Sequence, residues 1–156
     1  MTKTDLLTQI RITLQSELKA LTKAAQESFS AATDPDSKAE NKYDTRNLEA
    51  SYVARGQAQR VEELQAAILA FENLPTTSFA SDSRIGLGAL ACLAEPEGRQ
   101  FYFIGPAAGG TEIMLDGHEV VVITPTSPLG QKLIGRGVGD SIPTRPGVTA
   151  SVVSMV

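Results

Sequence analysis

The sequence predicts an α+β protein: an N-terminal antiparallel helical hairpin, a coiled coil, followed by a small antiparallel β domain with one short helix. Three observations lead there. Of 8 prolines and 13 glycines, only Pro35, Pro75 and Gly56 occur by residue 75, so helix breakers are nearly confined to the later part of the chain. Apolar residues before Leu74 recur at steps of three and four, the period of a helix with one buried face. Beyond Ser81, short β-branched and aromatic runs alternate with Gly, Pro and Asp, as in strands joined by turns. The hairpin is assigned to residues 1–75 and the β domain to residues 80–156, with Leu-Pro-Thr-Thr-Ser as linker.

In the first helix, Leu7, Ile10, Leu14, Leu18, Leu21 and Ala25 form the apolar stripe. Thr2 stands three residues before Asp5 and is placed to cap its start. The second helix repeats the pattern with Leu48 and Tyr52, then Val61, Leu64, Ile68 and Phe71. Between them, Ala31 to Ser37 is rich in turn formers, and Pro35 forbids one continuous helix. Two stripes that each need a partner are satisfied if the helices fold back on one another, with the tip at residues 33–40. Arms of ~30 residues at ~1.5 Å rise reach ~45 Å, more than a small domain needs for its own core. Such a rod is suited to reaching or to dimerising.

Strands are expected at 85–94, 99–105, 112–115, 119–124 and 148–155. Asp116-Gly117 fits a tight hairpin turn. Ser127 to Gly135 reads as one short helix, capped by Ser127, entered by Pro128 and ended by Gly135.

Composition narrows the functional classes. A formal charge of −4 and a pI near 5.0 argue against binding through nucleic-acid phosphates over the whole surface, which needs a net basic footprint. Any RNA contact is local. The single cysteine, Cys92, excludes an internal disulfide and a cysteine-based zinc site, and its apolar surroundings mark it as buried. No apolar run is long enough for a signal peptide or a membrane span, so the expected location is the cytoplasm, with no membrane partner.

The segment Ile123-Thr124-Pro125-Thr126-Ser127-Pro128-Leu129-Gly130, continuing through Leu133-Ile134-Gly135-Arg136-Gly137-Val138-Gly139-Asp140, resembles the C-terminal signature of the GreA/GreB transcript-cleavage factors. Glu40-Asn41 with Tyr43, and Arg60-Val61-Glu62-Glu63-Leu64, are similar to the second hairpin helix of that family. The resemblance runs over nearly the whole chain. It implies an FKBP-like C-terminal domain docking at the rim of the secondary channel of bacterial RNA polymerase. The hairpin then passes down the channel toward the nascent RNA 3′ end. It further implies an accessory factor rather than an enzyme: acidic tip residues help hold a magnesium ion shared with the polymerase, which hydrolyses backtracked RNA. No cofactor is expected in isolation.

Asp36, Glu40 and Asp44 are spaced by four and on a helix share one face, where their oxygens suit a hard cation. Asp36 and Glu40 are the candidate magnesium ligands, with Asp44 as the substitute third carboxylate. A purely structural reading competes, because Ser37 to Glu40 is also a capping box and Asp34-Pro35-Asp36 is ordinary turn chemistry. The family places its acidic pair as Asp-x-x-Glu; here one further residue intervenes, which turns the first carboxylate by ~100° relative to the second. Lys19, Lys23, Lys38, Lys42, Arg46, Arg55 and Arg60 alternate with Glu17, Glu27, Glu49 and Glu62, the pattern of a solvated mixed-charge surface.

Other motifs lack their context. Gly86-Leu87-Gly88 precedes a strand-like run instead of opening a helix, and lone His118 has no second imidazole or nucleophile elbow to work with. The leading expectation is a Gre-family elongation factor, monomeric in solution. Its rivals are a channel-binding regulator without cleavage stimulation, and a structural or chaperone-like module whose hairpin dimerises or grips clients.

Overall fold

The computed structural model describes residues 1–33 and 46–156. They form two compact units, Thr13–Ile68 and Met1–Ile12 together with Leu69–Val156. Helix α1 spans Lys3–Thr33 and α2 spans Arg46–Glu72. The expected cap is in place: the Asp5 backbone N–H donates to Thr2 Oγ1 at 3.1 Å, and that hydroxyl donates to Asp5 Oδ2 at 2.5 Å.

Within Thr13–Ile68 the helices run antiparallel. Arg60 pairs with Glu17, whereas Ala25 and Phe29, later on α1, share a cleft with Ala54 and Ala58, earlier on α2. Leu14 and Leu64 are fully buried here, and Leu18, Leu21 and Val61 half-buried, as the apolar stripes require.

The second unit holds a six-stranded sheet. Its strands are β1 (Leu90–Glu95), β2 (Gly98–Ile104), β3 (Glu112–Leu115), β4 (His118–Ile123), β5 (Ser141–Arg145) and β6 (Val148–Met155), in the order β3-β4-β2-β1-β6-β5. The sequence suggested an antiparallel β domain, and the pairings are antiparallel except one: β2 and β4 pair in parallel, with Phe101 opposite Val120 and Ile104 opposite Ile123. Topology explains this. The β3–β4 hairpin turns over so that β4, not β3, lies beside β2, and the chain has then reversed twice. At the hairpin turn Asp116 and Gly117 have φ of 51° and 77°, the two positive values of a type I′ turn.

One strand boundary and one whole strand also differ from expectation. The first strand begins at Leu90, not Ile85, because residues 86–88 form a turn in which Gly88 has φ 86°. Ser141–Arg145 was not anticipated as a strand, because Pro143 interrupts it; as β5 it lies at the sheet edge, where a missing N–H is tolerated.

One face of the sheet is closed by α3 (Pro128–Leu133). Ala91, Leu93, Ile104, Ile123, Ile142, Ala150 and Val152 form a buried cluster with Leu133, flanked by Tyr102 and Leu129. The β1–β6 register shifts between Cys92 and Leu93. That bulge lets Val152 and Met155, three residues apart, both join the core. On the other face Phe103 is fully buried and stacks on Phe71, with ring centroids 6.4 Å apart.

Candidate functional site

The three tip carboxylates Asp36, Glu40 and Asp44 lie outside the described residues, as do Lys38 and Lys42. Among the described residues no group of three or more His, Cys, Asp or Glu is placed to hold a metal ion. The described arms carry the mixed charge read from the sequence. The Arg60 guanidinium stands 3.2 Å from Glu17 and 3.3 Å from Glu63, with all three side chains well exposed. An Arg held between two carboxylates offers little unbalanced positive charge to RNA.

The most ordered local chemistry lies in the segment after β4. Ser127 is extended (φ −65°, ψ 156°) and its Oγ accepts the Gly130 N–H at 3.0 Å while donating to the Thr124 carbonyl at 2.7 Å. Its hydroxyl thus ties the end of the strand to the first turn of α3. Pro128 occupies the first helical position, where its missing N–H costs nothing. After Leu133 the helix stops at Ile134, and Gly135 (φ 83°) turns the chain so that the Gly135 N–H donates to the Ile85 carbonyl at 2.9 Å.

The next turn is built by Asp140. One of its oxygens accepts the Gly137 N–H at 2.9 Å and lies 3.6 Å from Arg84. Gly139 (φ 93°) then passes the chain to β5, its N–H donating to the Val152 carbonyl at 2.8 Å. Ile134 and Val138 remain exposed at 38% and 41%. Apolar side chains are thus presented beside Arg84 and Arg136 on a hydrogen-bonded, Gly-rich frame.

Cys92 is buried, and burial raises its thiol pKa, which disfavours the reactive thiolate. His118 packs on Phe101 with ring centroids 4.9 Å apart.

Two features were not anticipated. Lys3 is buried: its ammonium donates to the Thr77 carbonyl and sits 4.7 Å from the centroid of the Phe79 ring, and desolvation holds its pKa below the usual lysine range. Nothing in local sequence spacing links positions so far apart. The second is a cavity of about 290 Å³ between α3 and the sheet, walled by Glu95, Glu97, Tyr102, Leu129, Thr144 and Arg145. Its only sequence hint is Glu95-Pro96-Glu97, two carboxylates on one tight turn.

Among the described residues no helix is long and apolar enough to cross a membrane. No family model matches the chain, and no curated protein matches it. Among solved structures, the chain is similar to GreA factor homolog 1 (Gfh1) of Thermus thermophilus, at 21% identity over 94% of each chain and a TM-score of 0.37. It is also similar to a structure of the transcription factor Gfh1, at 25% identity over 97% of this chain and 91% of that one with a TM-score of 0.36, and to Thermus aquaticus Gfh1, at 22% identity over 92% and 91% with a TM-score of 0.34.

Proposed function

We propose that the protein is a Gre-type transcription factor that acts on bacterial RNA polymerase in the cytoplasm, as an accessory factor and not as a free-standing enzyme. The observation that carries this reading is the segment 123–140. The residues by which it resembles the GreA/GreB signature are those that make the strand end, the capped α3, the Gly135 turn and the Asp140 turn. An antiparallel helix pair in the same chain supplies the arm such a factor needs.

In this reading the β module docks at the rim of the secondary channel and the hairpin enters it as a monomer. Asp36 and Glu40, with Asp44 as the substitute, offer hard carboxylate oxygens of the type magnesium prefers. Magnesium held there and shared with the polymerase would supply charge neutralisation at the phosphate and a positioned water for cleavage of backtracked RNA. The residues of this chain contribute the ligand oxygens and their delivery.

A second reading has specific support in the tip sequence. With Asp36 and Glu40 one residue farther apart than Asp-x-x-Glu, the first carboxylate on a helix is turned by ~100° from the direction that spacing gives it. A factor so built occupies the channel and modulates transcription without stimulating cleavage. The deciding experiment is magnesium-dependent RNA cleavage in a stalled, backtracked polymerase complex with the intact protein, Asp36→Ala and Glu40→Ala. Acceleration lost in the variants establishes the cleavage role. Displacement of another channel factor without acceleration establishes the regulator, and absence of binding refutes both.

A further inference from the structure

The cavity between α3 and the sheet combines features that recognise one chemical group. Glu95, at the end of β1, has a side chain only 7% exposed and pairs with the half-exposed Arg145, whose Nη2 lies 3.1 Å from Glu95 Oε2 and 3.5 Å from Glu97 Oε2. A single guanidinium nitrogen serves both carboxylates. Two carboxylates against one guanidinium leave the site net negative. Along the same cavity lie the Tyr102 ring and Leu129, and Thr144 Oγ1 is buried with no hydrogen-bond partner among the described residues.

We propose that this cavity is a binding site for a guanidinium group, presented as an arginine side chain of a partner protein. Arg145 already shows that a guanidinium nitrogen sits between Glu95 and Glu97. A second, incoming one is placed to use the Glu95 and Glu97 carboxylates while its plane and stem lie along Tyr102 and Leu129, the combination of charge-assisted bonds and ring contact that suits arginine. A volume of about 290 Å³ is on the scale of one side chain and not of a nucleotide cofactor. The inference does not depend on the polymerase reading, since it concerns a different part of the chain from the hairpin tip.

The test is a titration of amide resonances of the full chain with N-acetyl-arginine-methylamide, its citrulline counterpart and free arginine. The expected result is saturable shifts confined to residues 95–102, 129 and 144–145 with the arginine compound and none with citrulline, which has the same shape without the charge. Glu95→Gln is expected to weaken binding about tenfold or more, as loss of a charge-assisted bond does. Since Glu95 is buried, Glu97→Gln at a mostly exposed position is the companion variant that leaves the fold intact, and it too is expected to bind more weakly. Stronger binding of the blocked arginine than of free arginine points to a protein side chain, the reverse to a small molecule. Equal shifts with arginine and citrulline compounds, no saturable shift, or unchanged binding by Glu97→Gln and a folded Glu95→Gln would overturn the proposal.

Discussion

Gly130 lies against Thr124 so closely that a Cβ on it would penetrate the Thr124 carbonyl oxygen and stand 2.8 Å from Ser127 Oγ. The first turn of α3 therefore packs on the end of β4 with no room for a side chain, and the obstruction is backbone, which cannot swing aside. Gly130→Ala is expected to lower unfolding stability by about 3 kcal/mol or more, the upper range of overpacking penalties. Chemical denaturation followed by circular dichroism measures this, with Gly56→Ala as the control: Gly56 has open space around it, and there alanine is expected to be neutral or stabilising by up to ~1 kcal/mol.

Ser127 acts through hydrogen bonds and not through space filling. Ser127→Ala leaves the Gly130 N–H without its acceptor and is expected to cost about 1 kcal/mol, while Ser127→Asp, still able to cap, recovers part of that loss. The same denaturation experiment ranks the two variants. Equal loss in both would show that the serine's bond to the Thr124 carbonyl, which aspartate cannot donate, matters more than the cap.

Much of this local structure was legible in the sequence because it is made by neighbours. The Ser127 cap, Pro128 entry, Gly135 stop, Asp116-Gly117 turn and Thr2 cap all involve residues within a few positions of one another, and turn and cap chemistry acts at that range. The apolar stripes were equally readable, since Ile10, Leu14, Leu64 and Ile68 are buried at helical spacing. What was not readable depends on chain folding. Pro143 masked β5, whose strand character comes from its pairing with β6 and its place at the edge. The parallel β2–β4 pairing reflects which strand of a hairpin turns inward, and the Glu95–Arg145 contact joins residues 50 positions apart. Of the candidate site, the signature after β4 is placed in detail, while Asp36, Glu40 and Asp44 fall outside the described residues.

Lys3 anchors the start of α1 to the segment after α2, through the Thr77 carbonyl and the Phe79 ring. Lys3→Met keeps the apolar stem but removes the charged donor and is expected to cost about 2 kcal/mol, the scale of a hydrogen bond from a charged group. Native-state hydrogen exchange offers a local readout: amides of residues 3–8 and 77–79 are expected to exchange faster in the variant, with the α3 region unchanged.

Tyr102 and Glu95 are linked by charge across the cavity. Burial raises the Tyr102 phenol pKa above its ordinary value of 10.0, the Glu95 carboxylate raises it further, and Arg145 opposes the change. A folded-state pKa above the unfolded one means that the contribution to stability is complete below pH 10.0 and is lost as pH climbs through the folded value. Spectrophotometric titration of the folded protein, with Tyr102→Phe subtracted to remove the other tyrosines, is expected to show Tyr102 ionising late. Glu95→Gln, which removes a negative charge, is expected to bring that ionisation to lower pH, and Arg145→Ala to push it higher. A phenol that titrates normally and ignores both substitutions would show that water reaches Tyr102 freely, and would place the ring outside the cavity wall.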